Sequence, residues 1–279
     1  MADIQITGFE MLEKLGEGGT ASVWKARQVS LDRMVAIKVL APRFANDPDD
    51  VEMFRREAQQ AAKLKHPGIV QVYDAKTENG LCYFVMEYVA GYTVGDWVTR
   101  KGRLGEKDIL LLAECIASAL DYAWEGSRII HCDIKPHNVM LDDDGTVKVT
   151  DLGLARTINA MNATVESEYV LGTPAYMSPE QVTGQADIDF RADIYSLGAM
   201  LYHLSTGQIM FHSEPDDRVM ELQIEGTVQA PHDLNPDLSK PFCSLIEKML
   251  AKAPENRPAS WKEVIKDIGR GKKRLRPIG

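Results

Sequence analysis

The chain has 279 residues, of which 44% are hydrophobic and 26% charged, values that exclude global disorder and a small disulfide-stapled scaffold. Its net charge is −9, and five Lys/Arg fall in the last ten residues, so the rest of the chain is more acidic still. Such a surface predicts no nucleic-acid partner. Four scattered cysteines without CxxC spacing predict a reducing, cytoplasmic environment. No apolar run reaches the roughly 18 residues that a membrane span requires.

The first third of the chain has the alternating pattern of β-strands. Strands are predicted over residues 9–15, 23–28, 34–40, 69–74 and 81–88. Between the third and fourth, helical spacing of apolar residues predicts a helix over 48–64, which Pro67 ends because proline lacks an amide hydrogen. These elements together predict a small five-stranded antiparallel sheet with one helix.

From Gly91 onward the pattern becomes mainly helical. Helices are predicted over 109–120, 194–204, 242–250 and 261–268, with two short strands at 138–141 and 147–150. The change of pattern predicts two lobes, with a smaller lobe at about 1–86, a hinge at 87–91 and a larger lobe at about 92–268. Residues 269–279 form a basic tail, and a ligand is expected in the cleft between the lobes.

Two motifs of the first lobe are typical of phosphate binding. A glycine-rich turn, Gly16–Val23, lies between two predicted strands, where missing side chains let backbone amides approach an anion. By itself such a turn is weak evidence, since a plain hairpin has the same composition. Lys38 follows on the third strand and shares a face with Ala36, and Glu57 lies on the helix.

A third group of polar residues falls in the second lobe. The run from His131 to Asn138 contains Asp133, and Asp151 follows at the end of the next predicted strand. These side chains supply a base and hard oxygen ligands, which suit a divalent metal ion held beside phosphates.

Taken together and in this order, the motifs resemble those of the eukaryotic-type protein kinase family, with bacterial serine/threonine kinases most similar. The resemblance extends from about residue 9 to residue 268. It implies an α+β, bilobal protein kinase fold. It also implies an ATP-dependent kinase that phosphorylates Ser and Thr hydroxyls of proteins, including its own.

The resemblance also assigns roles to individual residues. Asp133, Lys135, Lys38 and Glu57 are expected to be catalytic, and Asn138 and Asp151 to bind Mg²⁺, for which Mn²⁺ is a substitute. The nucleotide is expected to contact Gly16, Glu17, Gly18, Gly19, Val23, Ala36, Lys38, Met86, Glu87, Val89 and Met140.

Other matches to the family are architectural. Glu180 and Arg257 resemble a buried ion pair, and Asp193 resembles the residue that binds the backbone of the catalytic loop. Thr173 resembles the threonine that hydrogen-bonds the catalytic aspartate and lysine, Asp133 and Lys135.

One departure from the family pattern lies beside the catalytic aspartate. Cys132 stands where an arginine commonly pairs with a phosphorylated activation loop, so phosphorylation at Thr164 or Ser167 is expected to activate only modestly.

The residues present also bear on two alternative functions. A nucleotide-binding pseudokinase is disfavoured because Lys38, Glu57, Asp133, Asn138 and Asp151 are all present. A kinase of small molecules is disfavoured by the peptide-positioning segment at 172–176. The basic tail suggests a further alternative, the cytoplasmic domain of a receptor-like kinase with a membrane anchor beyond it.

Overall fold

The computed structural model describes residues 4–152 and 173–275. The chain divides into two compact units, Met1–Ala90 and Gly91–Gly279. Among the described helices, none combines the length and the apolar character that crossing a bilayer requires.

The first unit is a five-stranded antiparallel sheet with one helix, as predicted. Its elements are β1 (Phe9–Glu17), β2 (Ala21–Gln28), β3 (Arg33–Leu40), α1 (Pro48–Ala62), β4 (Val72–Glu78) and β5 (Leu81–Glu87). The strand order is β1-β2-β3-β5-β4. The prediction for β4 was wrong at its start, because the Ile69 amide donates to the His66 carbonyl at 3.0 Å and closes a turn there instead.

The two faces of this sheet carry different side chains because neighbours along a strand alternate. One face is an apolar cluster that includes Val35, Ile37 and Val85, covered by Ile6 from the segment before β1. The opposite face faces α1, where the rings of Phe54 on the helix and Phe84 on β5 lie 5.0 Å apart. Helix α1 therefore packs on the face that also carries Lys38, the strand partner of Phe84.

Helix α1 begins where local chemistry predicts. The Asp47 side chain accepts a hydrogen bond from the Asp49 amide at 2.9 Å, and Pro48 occupies the first helical position, where its missing amide costs nothing. The first-turn acids Asp49 and Asp50 add a favourable interaction with the positive end of the helix dipole.

The second unit is mainly helical. It contains the sheet β6 (Gly91–Thr93), β7 (Val139–Asp142) and β8 (Val147–Val149), and the helices α2 (Val94–Lys101), α3 (Glu106–Ser127), α4 (Pro179–Val182), α5 (Arg191–Thr206), α6 (Asp216–Glu225), α7 (Pro231–Leu234), α8 (Lys240–Met249) and α9 (Trp261–Leu275). Strand β6 is too short to be predicted from sequence. It requires glycine at its first position, since a Cβ on Gly91 would lie 1.8 Å from the Leu141 carbonyl oxygen.

Helix α5 is the centre of this unit, and nearly all of its side chains are buried. Helix α9 packs along α3 and continues to Leu275, so the prediction that this helix ends at Ile268 was wrong. The physical reason is contact with α3. Gly271 lies so close to Leu110 that a Cβ there would touch it, and Lys272 forms an ion pair with Glu114.

The predicted buried ion pair between Glu180 and Arg257 is confirmed. The guanidinium donates to both carboxylate oxygens, at 2.5 and 2.8 Å, and the two side chains are 5% and 0% exposed. Arg257 also donates to the carbonyls of Ala251, Arg191 and Lys252. All the charge of this pair is therefore compensated inside the protein.

We expect the variant Arg257→Met to lower the free energy of unfolding by about 3–5 kcal/mol, because it leaves the Glu180 carboxylate buried without its partner. Urea denaturation measures this loss. The matched control is Lys262→Met, since the exposed Lys262 ammonium lies 3.6 Å from Glu125 and should contribute less than about 1 kcal/mol. A loss for Arg257→Met no larger than that of the control would contradict the prediction.

Candidate active site

The predicted site residues form two groups, one in each unit. The first unit carries Gly16, Glu17, Gly18, Gly19, Val23, Ala36, Lys38, Glu57, Met86, Glu87 and Val89. The second carries Asp133, Lys135, Asn138, Met140 and Asp151.

The strand register brings the predicted adenine and phosphate contacts of the first unit onto one sheet face. Val23 on β2 lies directly opposite Lys38 on β3, and Ala36 lies opposite Met86 on β5. Directly paired residues of antiparallel strands share a face, as do residues two apart on one strand. The apolar side chains and the lysine are therefore neighbours.

Lys38 and Glu57 form an ion pair within this unit. The Lys38 ammonium lies 2.6 Å from the Glu57 carboxylate, and the two side chains are only 14% and 11% exposed. The same ammonium lies 5.6 Å from the centre of the Phe84 ring. Glu57 thus holds the Lys38 ammonium in place, so the position of α1 determines the position of this positive charge.

The glycine-rich turn connects β1 and β2. The Gly18 amide donates to the Ala21 carbonyl at 2.8 Å, and Arg43 binds the Gly19 carbonyl. A Cβ at Gly16 or Gly19 would meet no atom within 4 Å, so the turn itself does not require glycine there. The Glu17 carboxylate pairs with Lys14 at 2.5 Å.

The predicted hinge residues begin at Glu87, the last residue of β5. The Glu87 amide donates to the Gln71 carbonyl at 2.8 Å. Val89 is buried. Met140, the predicted floor of the adenine pocket, lies on β7 of the second unit opposite Thr93.

The second unit brings Asp133, Lys135 and Asn138 together in one loop. The Lys135 ammonium lies 2.8 Å from the Asp133 carboxylate. The Asn138 amide nitrogen donates to the same carboxylate at 2.9 Å and to the Asp133 carbonyl at 2.8 Å. Asp133 is 8% exposed, so its carboxylate is held on two sides in a mostly dry setting.

Asp151 is linked to this loop through the backbone. The Thr150 amide donates to the Asn138 carbonyl at 3.0 Å, which places Asp151 next to the pairing between the two segments. Because the Asn138 amide nitrogen is bound to Asp133, its side-chain oxygen remains the group that can ligate a metal ion. No set of three His, Cys, Asp or Glu side chains suited to a metal occurs within residues 4–152 and 173–275. One carboxylate with one amide oxygen fits Mg²⁺, which keeps several waters and binds substrate phosphates.

Asp193 on α5 binds the backbone of the loop that contains Asp133, as the resemblance to protein kinases implied. Its carboxylate accepts hydrogen bonds from the His131 amide at 2.7 Å and the Cys132 amide at 2.8 Å. Burial raises the pKa of Asp193, and the two amides oppose that rise. His131 is fully buried, and its Nε2 lies 3.0 Å from the Thr150 carbonyl, a structural rather than a catalytic position.

The segment that begins at Thr173 makes two hydrogen bonds to the loop that contains Asp133. Lys135 donates to the Thr173 hydroxyl at 2.9 Å, which confirms the lysine half of the predicted contact. The Gln181 side chain donates to the Cys132 carbonyl at 2.7 Å. Sequence reasoning missed Gln181, because the contact joins residues far apart in the chain and no local motif marks it.

Cys132 packs in an apolar cluster with Ile130, Ile188 and Ala192. Its side chain is buried, which is unlike the position of an exposed phosphate anchor. Thr164 and Ser167, the predicted phosphorylation sites, lie outside the described residues.

Comparison with known proteins agrees with this geometry. The protein kinase domain family matches residues 9–267. The serine/threonine-protein kinase PrkC of Bacillus subtilis is 38% identical over 260 residues, which cover 93% of this chain and 40% of PrkC. PknB of Mycobacterium tuberculosis is 40% identical over 267 residues, covering 94% of this chain and 42% of PknB. The chain therefore spans about two fifths of the length of these curated relatives.

A solved structure gives the same result for the fold. The crystal structure of the Mycobacterium tuberculosis PknI kinase domain matches with a TM-score of 0.75 and 27% identity, over 96% of this chain and 98% of that one. The expected α+β kinase fold is thereby confirmed. Since the family match and the relatives both extend over nearly the whole chain, the chain belongs to the protein kinase family.

Proposed function

We propose that this chain is an ATP-dependent serine/threonine protein kinase, which transfers the γ-phosphoryl group of ATP to Ser and Thr hydroxyls of proteins, its own included. The observation that carries the proposal is the hydrogen-bonded set of Asp133, Lys135, Asn138 and Thr173. PrkC and PknB, which share most of this domain, are serine/threonine-protein kinases.

In the proposed reaction the substrate hydroxyl oxygen attacks the γ-phosphorus, and the bond to the β-phosphate oxygen breaks to release ADP. The hydroxyl proton passes to the Asp133 carboxylate, which also orients the attacking oxygen. Lys135, whose ammonium already lies beside Asp133, stabilises negative charge on the phosphoryl group during transfer.

The remaining predicted residues bind the nucleotide in this proposal. Lys38 neutralises the α- and β-phosphates of the nucleotide. The glycine-rich turn covers these phosphates with Gly16, Glu17, Gly18 and Gly19. The adenine lies against Val23, Ala36 and Met140, and Met86 limits the depth of the adenine pocket. Residues 87–91 form a hinge between a smaller lobe at about 1–86 and a larger lobe at about 92–268. In this hinge, Glu87 and Val89 offer backbone groups to the edge of the adenine.

The family uses ATP with a divalent metal ion, and we propose Mg²⁺ here, with Mn²⁺ able to replace it. Asn138 and Asp151 would hold the ion. Once bound, it supplies positive charge to the β- and γ-phosphates.

The test of the function is phosphorylation of histone by the chain with Mg²⁺ and radiolabelled ATP. We expect label on Ser and Thr, and we expect Asp133→Asn to reduce turnover by roughly 10²–10⁴-fold because the proton acceptor is lost. ATP affinity should stay within about threefold, because Asp133 contacts the hydroxyl and not the nucleotide. Asp143→Asn, in the exposed turn between β7 and β8, is the matched control and should be silent. Turnover of Asp133→Asn equal to that of the control would contradict the assignment.

A second measurement addresses the metal site. Asp151→Asn removes the charged oxygen ligand, so ATP affinity measured by titration should no longer increase when Mg²⁺ is added. The wild type and Asp143→Asn should both retain the increase. If Asp151→Asn retains it as well, the metal ion is held by other residues.

A double-mutant cycle addresses the pair of Lys38 and Glu57. We expect Lys38→Met to lower turnover by about 10²-fold or more, and Glu57→Gln to add little once Lys38 is gone, since both changes disrupt one unit. Lys76→Met with Asp74→Asn is the control cycle, because that pair is also in contact, at 2.8 Å, but is about half exposed and outside the site. The contradicting result is a double variant whose fold-reduction in turnover equals the product of the reductions in Lys38→Met and Glu57→Gln. That result would show that the two side chains do not act as a pair in the active state.

A further inference from the structure

The segment that begins at Thr173 is anchored in the second unit by three polar contacts. Thr173 accepts from Lys135, and the Tyr176 hydroxyl lies 2.8 Å from Nδ1 of His203 on α5. Between them, the Pro174 carbonyl accepts a hydrogen bond at 3.0 Å from the side chain of Gln223 on α6. The first contact leads to the predicted catalytic loop, and the third comes from a residue that no kinase motif of this sequence includes.

Gln223 is completely buried, and both ends of its amide are used. Its nitrogen donates to Pro174, and its oxygen accepts from the Tyr195 hydroxyl of α5 at 2.6 Å. A buried amide with two partners has one preferred orientation, since turning it would face donor to donor and acceptor to acceptor. Gln223 therefore links the 173–177 segment to the central helix in a defined geometry.

A partly buried lysine, Lys252, supports this link from the other side. Lys252 donates to the carbonyls of Leu222 and Gln223 at 3.0 and 2.8 Å, and its ammonium lies 3.3 Å from the Tyr195 hydroxyl. The cation thus sits at the C-terminal end of α6, where the helix dipole favours it. Burial, and to a smaller extent Arg257, lower the pKa of Lys252 to about 8, so it is still mainly charged at pH 7. The end of α6 that carries Gln223 is fixed as a result.

We propose that Gln223 is a positioning residue for the protein substrate: it holds the Pro174 carbonyl, and with it the backbone of residues 173–177, in the place where the hydroxyl-bearing peptide binds. This inference rests on the proposed function, since residues 172–176 resemble the peptide-positioning segment of protein kinases. The Pro174 carbonyl also accepts a longer hydrogen bond, at 3.3 Å, from the Met177 amide within the segment itself. Among the described residues, Gln223 makes the one hydrogen bond that joins this carbonyl to a helix outside the segment.

The experiment is steady-state kinetics on the full chain with histone and ATP varied separately. In Gln223→Met, which keeps the volume but loses both hydrogen bonds, we expect the KM for histone to rise on the order of tenfold, the factor that one buried hydrogen bond commonly controls. The KM for ATP should stay within about twofold, because the contact is to the peptide-side segment. Gln229→Met, at an exposed glutamine just beyond α6, is the matched control and should change neither value.

A second variant covers the case in which Gln223→Met does not fold. Tyr195→Phe removes only the hydroxyl that orients the Gln223 amide, and we expect a smaller rise in the KM for histone, about two- to fivefold, again without an effect on ATP. Gln223→Glu keeps an acceptor for Tyr195 but presents no amide donor to Pro174, so it should behave like Gln223→Met.

The outcomes separate this inference from the function on which it rests. An active wild type whose KM for histone is unchanged in Gln223→Glu and Tyr195→Phe overturns the positioning role alone. Equal increases of both KM values also overturn it, since they indicate general loss of structure. A wild type that incorporates no label refutes the proposed function itself, and the positioning role with it.

Discussion

The geometry of the second unit depends on one buried carboxylate, that of Asp193. Cys132 has a φ of +63°, a left-handed conformation that costs a residue other than glycine about 1–3 kcal/mol. Asp193 compensates by binding the amides of both His131 and Cys132, and Gln181 binds the carbonyl that follows. Three hydrogen bonds thus hold the backbone immediately before Asp133 in a conformation that it would not adopt alone. The direction of the Asp133 side chain follows from that backbone.

The segment from Thr173 to Gln181 extends the same hydrogen-bonded body. Glu180 is bound by Arg257, and Gln181 lies beside it, so the buried ion pair also positions the residue that binds the Cys132 carbonyl. These contacts join the proposed catalytic loop to the segment from Thr173 to Gln181. In the first unit, α1 has a comparable positioning role, because its Glu57 orients Lys38. A shift of this helix would displace the charge that we propose to neutralise the phosphates.

Much of the site could be predicted because its chemistry is local. Alternation on β3 places Ala36 and Lys38 on one face, whatever the rest of the fold does. The predicted start of α1 at Pro48 is confirmed, and Asp47 caps it. Short spacing likewise kept Asp133, Lys135 and Asn138 within one loop. The order of these motifs was specific enough to indicate the family, and the confirmed five-stranded sheet with one helix agrees with it.

Other features were decided by contacts between residues far apart in the chain. The sequence by itself determined strands β1, β2, β3 and β5, the first helix, the kinase motifs and the expected residue types of the site, because backbone sterics and side-chain alternation act over a few residues. Only the tertiary structure decided that α9 continues to Leu275 along α3, that β4 begins after a turn, and that Gln181 and Gln223 support the site. A glutamine is an ordinary surface residue in a sequence. Burial against a particular carbonyl is what gives its amide a single orientation, and burial is a property of the folded chain.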